Sequence, residues 1–438
     1  MKRIIILLVL GLFSNHFNVF AQYRIDWQKQ VDGLGMEDPG LFIRTSDGGY
    51  VAISNPDGDQ FGDDNFVITK FSQSGFIEWQ NPFPGADDND ITSIIQTKDG
   101  GYMIGGIMDT GDNDDDETYS DNKVAKALHA RHEQDDFWII KMDSRGVIQW
   151  QKNYGGEDDD ELKGVVQTSE GGYLIYGITD SKKGDVKGNH GESDIWLVKI
   201  NNSGTIEWKK CYGGTDDDEP GFVKQTSDGG FVIAGITNSD DKDVRGYHGR
   251  QDVWVYKIDN SGKMIWQRIV GSSAYDELSG FTQTSDGGFI VSGFSRGVIK
   301  EIDSKKDVFI NWICKINYSG VIVWNSTIDS NRNSTIFSVL PTLDGGCAVA
   351  RYVKKEFMDN LKKSVDSTYY NYFVLYYNNM GVLIGKNDLG MFKDYEVNFI
   401  EPSNDFGYIL SGDLNEKYNK KNEKVSREDL WLVKLKSQ

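Results

Sequence analysis

Six carboxylates recur at one place in a repeated pattern. They lie six residues before the Gln position of a Gln-Thr-Ser-Asp-Gly-Gly phrase: Asp38, Asp90, Glu161, Glu219, Glu277 and Glu396, with Thr335 in the remaining copy. Brought round a common axis, such acids repel one another unless they are protonated, hydrogen-bonded or neutralised by cations. One use of the set is a divalent-metal or cationic-ligand site. The other is hydrogen bonding to backbone amides of the neighbouring unit. Presence in nearly every copy favours the second use, because active sites usually break symmetry.

A second group of acids alternates along polar stretches: Asp57 and Asp59, then Asp112, Asp114 and Asp116, then Asp185 and Asp243. Alternating carboxylates on a loop suit calcium, which takes six to eight oxygens, although none of these runs has the full EF-hand spacing. His190 and His248 fall in equivalent slots of different copies and read as loop-fixing hydrogen bonders. His129 and His132 lie in an irregular insertion, residues 109–136, with helical propensity. Spaced i, i+3, they share a face and, with Asp135 or Asp136, have the donors for zinc. As part of an insertion they also mark a place for partner contact. There is no Ser-His-Asp nucleophile elbow, phosphate-binding glycine loop or metalloprotease helix. With 67 acids in the chain, spacing alone does not pick out a glycosidase pair.

The elements that position these residues follow from the repeat. Paired glycines stand at 48–49, 100–101, 171–172, 229–230, 287–288 and 345–346, with a worn copy at Phe406–Gly407. A recurring spacing of 58 residues signals an array of like units. Within one unit, residues 162–168 and 173–179 are short apolar runs either side of the Ser-Glu-Gly-Gly turn. After a long polar loop, 194–200 and 205–210 are two further strands joined by Asn-Asn-Ser-Gly. That is a four-stranded antiparallel meander, and seven around an axis make a β-propeller. All eleven tryptophans fit it: Trp138, Trp196, Trp254, Trp312 and Trp431 share one third-strand slot, and Trp27, Trp79, Trp150, Trp208, Trp266 and Trp324 share one fourth-strand slot. They supply apolar cement between blades. The last repeat stops after its third strand, and residues 24–29 are an orphan fourth strand. Pairing the two completes blade seven and removes the open edges. The expected architecture is an all-β, seven-bladed propeller over residues 22–438, closed by its N-terminal strand. In it the acids at 38, 90, 161, 219, 277 and 396 begin the innermost strands, at the mouth of the central channel.

Composition narrows the partners. A net charge of −20 argues against nucleic acid, which needs a basic face, and against binding to anionic lipid. Residues 1–21, with Lys2 and Arg3 before an apolar run and Val19-Phe20-Ala21 at the end, read as a cleaved signal peptide. That run is too short to span a bilayer, and no other segment is long and apolar enough. The three cysteines, Cys211, Cys314 and Cys347, occupy no repeating position and form no disulfide framework. Cys314 fills a slot that is Val198 in another unit and reads as a small buried hydrophobe.

The phrases Tyr-Gly-Gly-x-Asp-Asp-Asp-Glu, Gln-Thr-Ser-Asp-Gly-Gly-Phe and Gly-Asp-Val-x-Gly-x-His-Gly resemble those of secreted and surface β-propeller repeat proteins of Bacteroidota. The resemblance spans nearly all of residues 23–435 and implies the propeller fold, without carrying catalytic residues across. Many such proteins have a lipid-attachment cysteine or a C-terminal sorting domain. Neither pattern is found here, which favours the periplasm or release. The expectation is therefore an exported, monomeric, non-enzymatic propeller. It would present an acidic loop face to a glycan, peptide or protein, with calcium rigidifying the loops. The alternative is a metal-dependent hydrolase or lyase at the channel mouth.

Overall fold

The computed structural model describes residues 23–31, 41–54, 65–84, 90–108, 134–297, 308–359, 364–393, 395–402, 408–414 and 430–437. They form seven four-stranded antiparallel sheets. In six of them, strand order is sequence order. In the seventh, Tyr395–Pro402, Tyr408–Leu414 and Leu430–Ser437 are followed by Tyr23–Val31, which runs antiparallel to the last of them from Tyr23↔Ser437 to Val31↔Leu430. The leading strand therefore closes the ring, as the sequence predicts. The fold is a seven-bladed β-propeller.

The first strands of the blades are Phe42–Arg44, Asp90–Gln96, Asp160–Gln167, Asp218–Gln225, Tyr275–Gln283, Ser334–Pro341 and Tyr395–Pro402. From blade one to blade seven each of these touches the next, so they form the inner wall of the ring. The third strands are sandwiched between blades: every residue of Asp136–Met142, Asp194–Ile200 and Asp252–Ile258 is buried. Fourth strands such as Ile206–Tyr212 form the rim and are only partly covered.

The repeated phrases fasten each blade internally and to its neighbour. In the Thr-Ser-Asp-Gly-Gly turn the first glycine adopts a left-handed φ, 82° at Gly229, which favours glycine. The turn aspartate accepts from the Thr hydroxyl, from the second Gly N–H and from a third-strand lysine that is itself buried, as at Asp228 with Thr226, Gly230 and Lys257. The preceding glutamine reaches back one blade: Gln96, Gln167 and Gln225 accept the N–H of Ser46, Lys98 and Ser169 at 2.7, 2.9 and 2.7 Å. The tryptophans divide by strand. Trp138, Trp196 and Trp254 are at most 2% exposed and form core. Trp208, Trp266 and Trp324 are half-buried and donate their indole N–H to backbone carbonyls of the next blade, at Asn260, Tyr318 and Asn379. Cys211, Cys314 and Cys347 are free and buried, and burial pushes all three thiols up, so none is a nucleophile at neutral pH.

Blade six departs from the repeat. Its middle strands, Cys347–Asp359 and Ser364–Tyr377, run far beyond the usual seven residues and stay paired out to Asp359↔Ser364. Where other blades carry a polar loop, this one carries strand-forming Phe357, Val365, Thr368, Tyr369 and Tyr370, so the hairpin continues.

Candidate functional site at the channel mouth

Each innermost strand enters from the long-loop face, and its second residue in blades three and four is the repeated acid. A bulge follows in blades two to seven, at Leu162/Gly164 in blade three and Pro220/Phe222 in blade four. The extra residue of the bulge is re-aimed out of the ladder. In blade three it is Lys163. Its ammonium lies 3.0 Å from Glu161 of its own strand and 3.2 Å from Glu219 of the next blade. Burial disfavours the charge on Lys163, but the hydrogen bond to Glu161 and the pull of both glutamates prevail and hold its pKa above the ordinary value. The repulsion within the acid ring is thus relieved at this point by a cation from the chain itself. The aligned bulge slots hold Thr92, Gly221, Ser279, Phe337 and Asn398, so Lys163 is unique among them. That singularity is visible in an alignment of the repeats, but was not singled out from the sequence.

The other ring acids divide. Glu277 accepts the Tyr275 hydroxyl at 2.8 Å, and the Arg296 guanidinium lies 4.9 Å over the same tyrosine ring. Asp90 is exposed at the start of its strand. Glu396 pairs with Asp413 in the blade-seven ladder. Asp38 lies outside the described residues, as do Asp57, Asp59, Asp112, Asp114, Asp116, His129 and His132. Between blades four and five, Glu219, Pro220, Gly221, Phe222, Ile236, Glu277 and Leu278 line a notch of about 160 Å³. Of the loop acids, Asp185 pairs with Lys209 at 2.7 Å, and Asp243 bonds through its backbone to Gly213 and Gln267. Among the described residues no group of three His, Cys, Asp or Glu side chains is placed to hold a metal ion.

The long-loop face rests on aspartates whose burial the sequence does not announce. Asp160, Asp218 and Asp276, early in first strands, and Asp136, Asp194 and Asp252, heading third strands, are all 0% exposed. They meet in pairs across a glycine that ends the linking fourth strand. A Cβ at Gly213 would lie 2.5 Å from Asp194 Oδ1 and 2.6 Å from Asp218 Oδ2; Gly155 and Gly271 stand in the same relation to the pairs Asp136/Asp160 and Asp252/Asp276. The Oδ2 oxygens fasten loops. Asp160 Oδ2 accepts from Gly156 N–H at 2.6 Å and the Ser181 hydroxyl at 3.0 Å, and Asp218 Oδ2 from Gly214 N–H at 2.7 Å and Ser239 at 2.9 Å. His190 bonds Asp194 through both its backbone N–H, at 2.9 Å, and Nδ1, at 2.8 Å; the His248 N–H does the same for Asp252 at 2.6 Å. The two histidines are therefore loop fasteners, as their equivalent slots suggest. Burial, reinforced by the partner carboxylate, pushes Asp160 up to about 8 and Asp218 up to about 6, although nearby hydroxyls and amides oppose the shift.

No family model and no curated protein matches the chain. Solved structures do. The WD40 domain of Neurospora crassa Pan2 aligns at a TM-score of 0.50 and 10% identity, over 95% of this chain and 96% of that one. A protein of unknown function from Dyadobacter fermentans aligns at 0.44 and 8%, over 95% and 99%. A structure described as YCF48 bound to D1 peptide aligns at 0.44 and 8%, over 96% and 99%. At these identities the likeness is one of fold. Among the described residues no helix is long and apolar enough to cross a membrane.

Proposed function

We propose that this is an exported, non-enzymatic binding propeller whose acidic channel mouth receives a protein or peptide partner carrying cationic side chains. The observation that carries the reading is the Glu161–Lys163–Glu219 bridge. Carboxylates of neighbouring blades sit close enough on the open face to hold one ammonium between them. Both glutamates remain part-exposed, at 40% and 45% of their side chains, so the face is both charged and accessible. A net charge of −20 adds long-range attraction for a basic partner. Calcium bound in the acidic loops, supporting that face, is part of the proposal.

The test is a peptide array probed with the mature protein, followed by titration of hits against the Glu161→Gln/Glu219→Gln double variant. Basic peptides should be retained, the double variant should weaken them about tenfold, and raising salt should weaken them further. Retention of acidic or neutral peptides, or indifference to both substitutions, overturns the reading. A calcium titration of the thermal melt tests the loop cations, and an unchanged midpoint removes them from the proposal.

A further inference from the structure

The internal repeat provides a comparison within one molecule. In blade three, the bulge residue Lys163 sends its four-carbon stem and ammonium into the gap between its own ring acid, Glu161, and that of the following blade, Glu219. In blade four the equivalent residue is Gly221, and the equivalent acids are Glu219 and Glu277. The gap that a side chain fills one blade earlier is here the notch of about 160 Å³, lined by both glutamates and by Pro220, Phe222, Ile236 and Leu278. The glycine creates the opening. A Cβ at Gly221 would approach Leu278 Cδ2 to 2.9 Å, so any side chain there would project towards blade five. Among the described residues no cation of the chain pairs with Glu277, whose bonded neighbour is the Tyr275 hydroxyl. Phe222 is 36% exposed, against buried glycines, Gly164 and Gly280, at the aligned positions of blades three and five. The notch thus joins an apolar wall to two carboxylates. An alkylammonium chain has the matching chemistry, because its methylenes cover apolar surface while its charge reaches the acids.

We propose that the notch between blades four and five is a subsite for a lysine side chain of the partner, which takes the place that Lys163 fills one blade earlier. This rests on the reading of the channel mouth as a binding face and names the group that face selects.

The probe is Nα-acetyl-lysine N-methylamide, with the norleucine analogue as its uncharged counterpart, followed through the methyl resonances of Ile236 and Leu278. The lysine compound should move both resonances and the norleucine compound neither. Glu277→Gln should weaken the lysine compound about tenfold, and Gly221→Lys should abolish its binding while raising the melting temperature, by filling the notch from within. Unmoved resonances, equal effects of the two compounds, or undiminished affinity in Glu277→Gln overturns the proposal. Should Gly221→Lys misfold, the Glu277→Gln measurement decides alone. A basic peptide that still needs Glu161 and Glu219, yet binds equally well with its lysines replaced by arginine, removes the subsite and leaves the binding face standing.

Discussion

Stability should fall as the pH rises from about 4 to about 8, and Asp160 offers the sharpest test. Its carboxyl is 0% exposed, close to Asp136 across Gly155, and shifted from 3.8 to about 8. The folded state therefore holds a proton that the unfolded state has released throughout this interval. A group raised in this way contributes its full stability below the unfolded value and loses it as pH climbs through the folded one. At pH 7 the difference spans about three pH units at roughly 1.4 kcal/mol each, or about 4 kcal/mol for this one residue. With an unfolding entropy of roughly 2 cal/mol/K per residue over a chain of this length, that is a melting-point change of about 5 °C. Asp218, shifted to about 6, adds in the same direction, as do Asp194 and Asp252, both raised by burial.

The turn aspartates act oppositely. Burial opposes their charge, yet hydrogen bonds from Thr45, Gly49 and Lys70 hold Asp47 down at about 2, and the same arrangement lowers Asp99 and Asp286. Their contribution is present above 3.8 and is lost as pH falls towards 2. Maximum stability is therefore expected at about pH 4 to 5. The assay is calorimetry from pH 3 to 9 on wild type and Asp160→Asn, which keeps an acceptor for Gly156 and Ser181 but carries no charge. The variant should lose about 5 °C of the fall between pH 5 and 8. A wild-type midpoint that rises over that interval, or an Asp160→Asn profile parallel to wild type, would show that Asp160 does not hold its proton in the folded state.

Three further outcomes are expected. Gly213→Ala places a methyl within 2.6 Å of two carboxylate oxygens in a fully buried spot, and should cost about 2–3 kcal/mol by denaturant titration. The same change at Gly188, where a Cβ meets nothing within 4 Å but φ is positive, should cost about 1 kcal/mol. Removing residues 22–31 deletes the strand that completes blade seven and exposes the edge of Leu430–Ser437, so the melting temperature should fall sharply and the protein should self-associate in light scattering.

The fold was legible because a propeller states its rule seven times, and each statement corrects the others. The tryptophan slots, the turn glycines and the orphan strand before Val31 each point to the same ring without any distance being known. Burial at the loop face was not legible. In Gly-Gly-x-Asp-Asp-Asp-Glu, four polar residues in a row read as solvent-exposed loop. Yet the chain turns into a strand at Asp218, so Asp216 and Asp217 face water while Asp218 lies inside. What decides this is the glycine two steps after Cys211, whose missing side chain admits two carboxylates, and no local propensity encodes that contact. The extended blade-six hairpin was not legible for another reason: the repeat sets a polar loop between second and third strands, and the charged run Lys354, Lys355 and Glu356 fits that expectation although the chain stays paired through it.

Repetition also separates structural residues from those open to a partner. A feature that recurs in several blades, such as the Gln clamp or the turn lysine, is accounted for by the contact it makes with the neighbouring blade or within its own. Information about a partner resides in departures from the repeat that remain open to solvent. Lys163 and Gly221 are such a departure: one strand slot, two residues, and equivalent acid pairs, one occupied by the chain's own ammonium and the other left as a notch beside an exposed phenylalanine. Exchanging them should therefore move the opening rather than destroy it. A Lys163→Gly/Gly221→Lys protein is expected to melt near wild type and to shift the resonance of Ile178, which stands opposite Glu161 as Ile236 stands opposite Glu219, instead of those of Ile236 and Leu278 on addition of the lysine compound. Binding that stays at Leu278 after the exchange would show that the repeat is no guide to where the ligand sits.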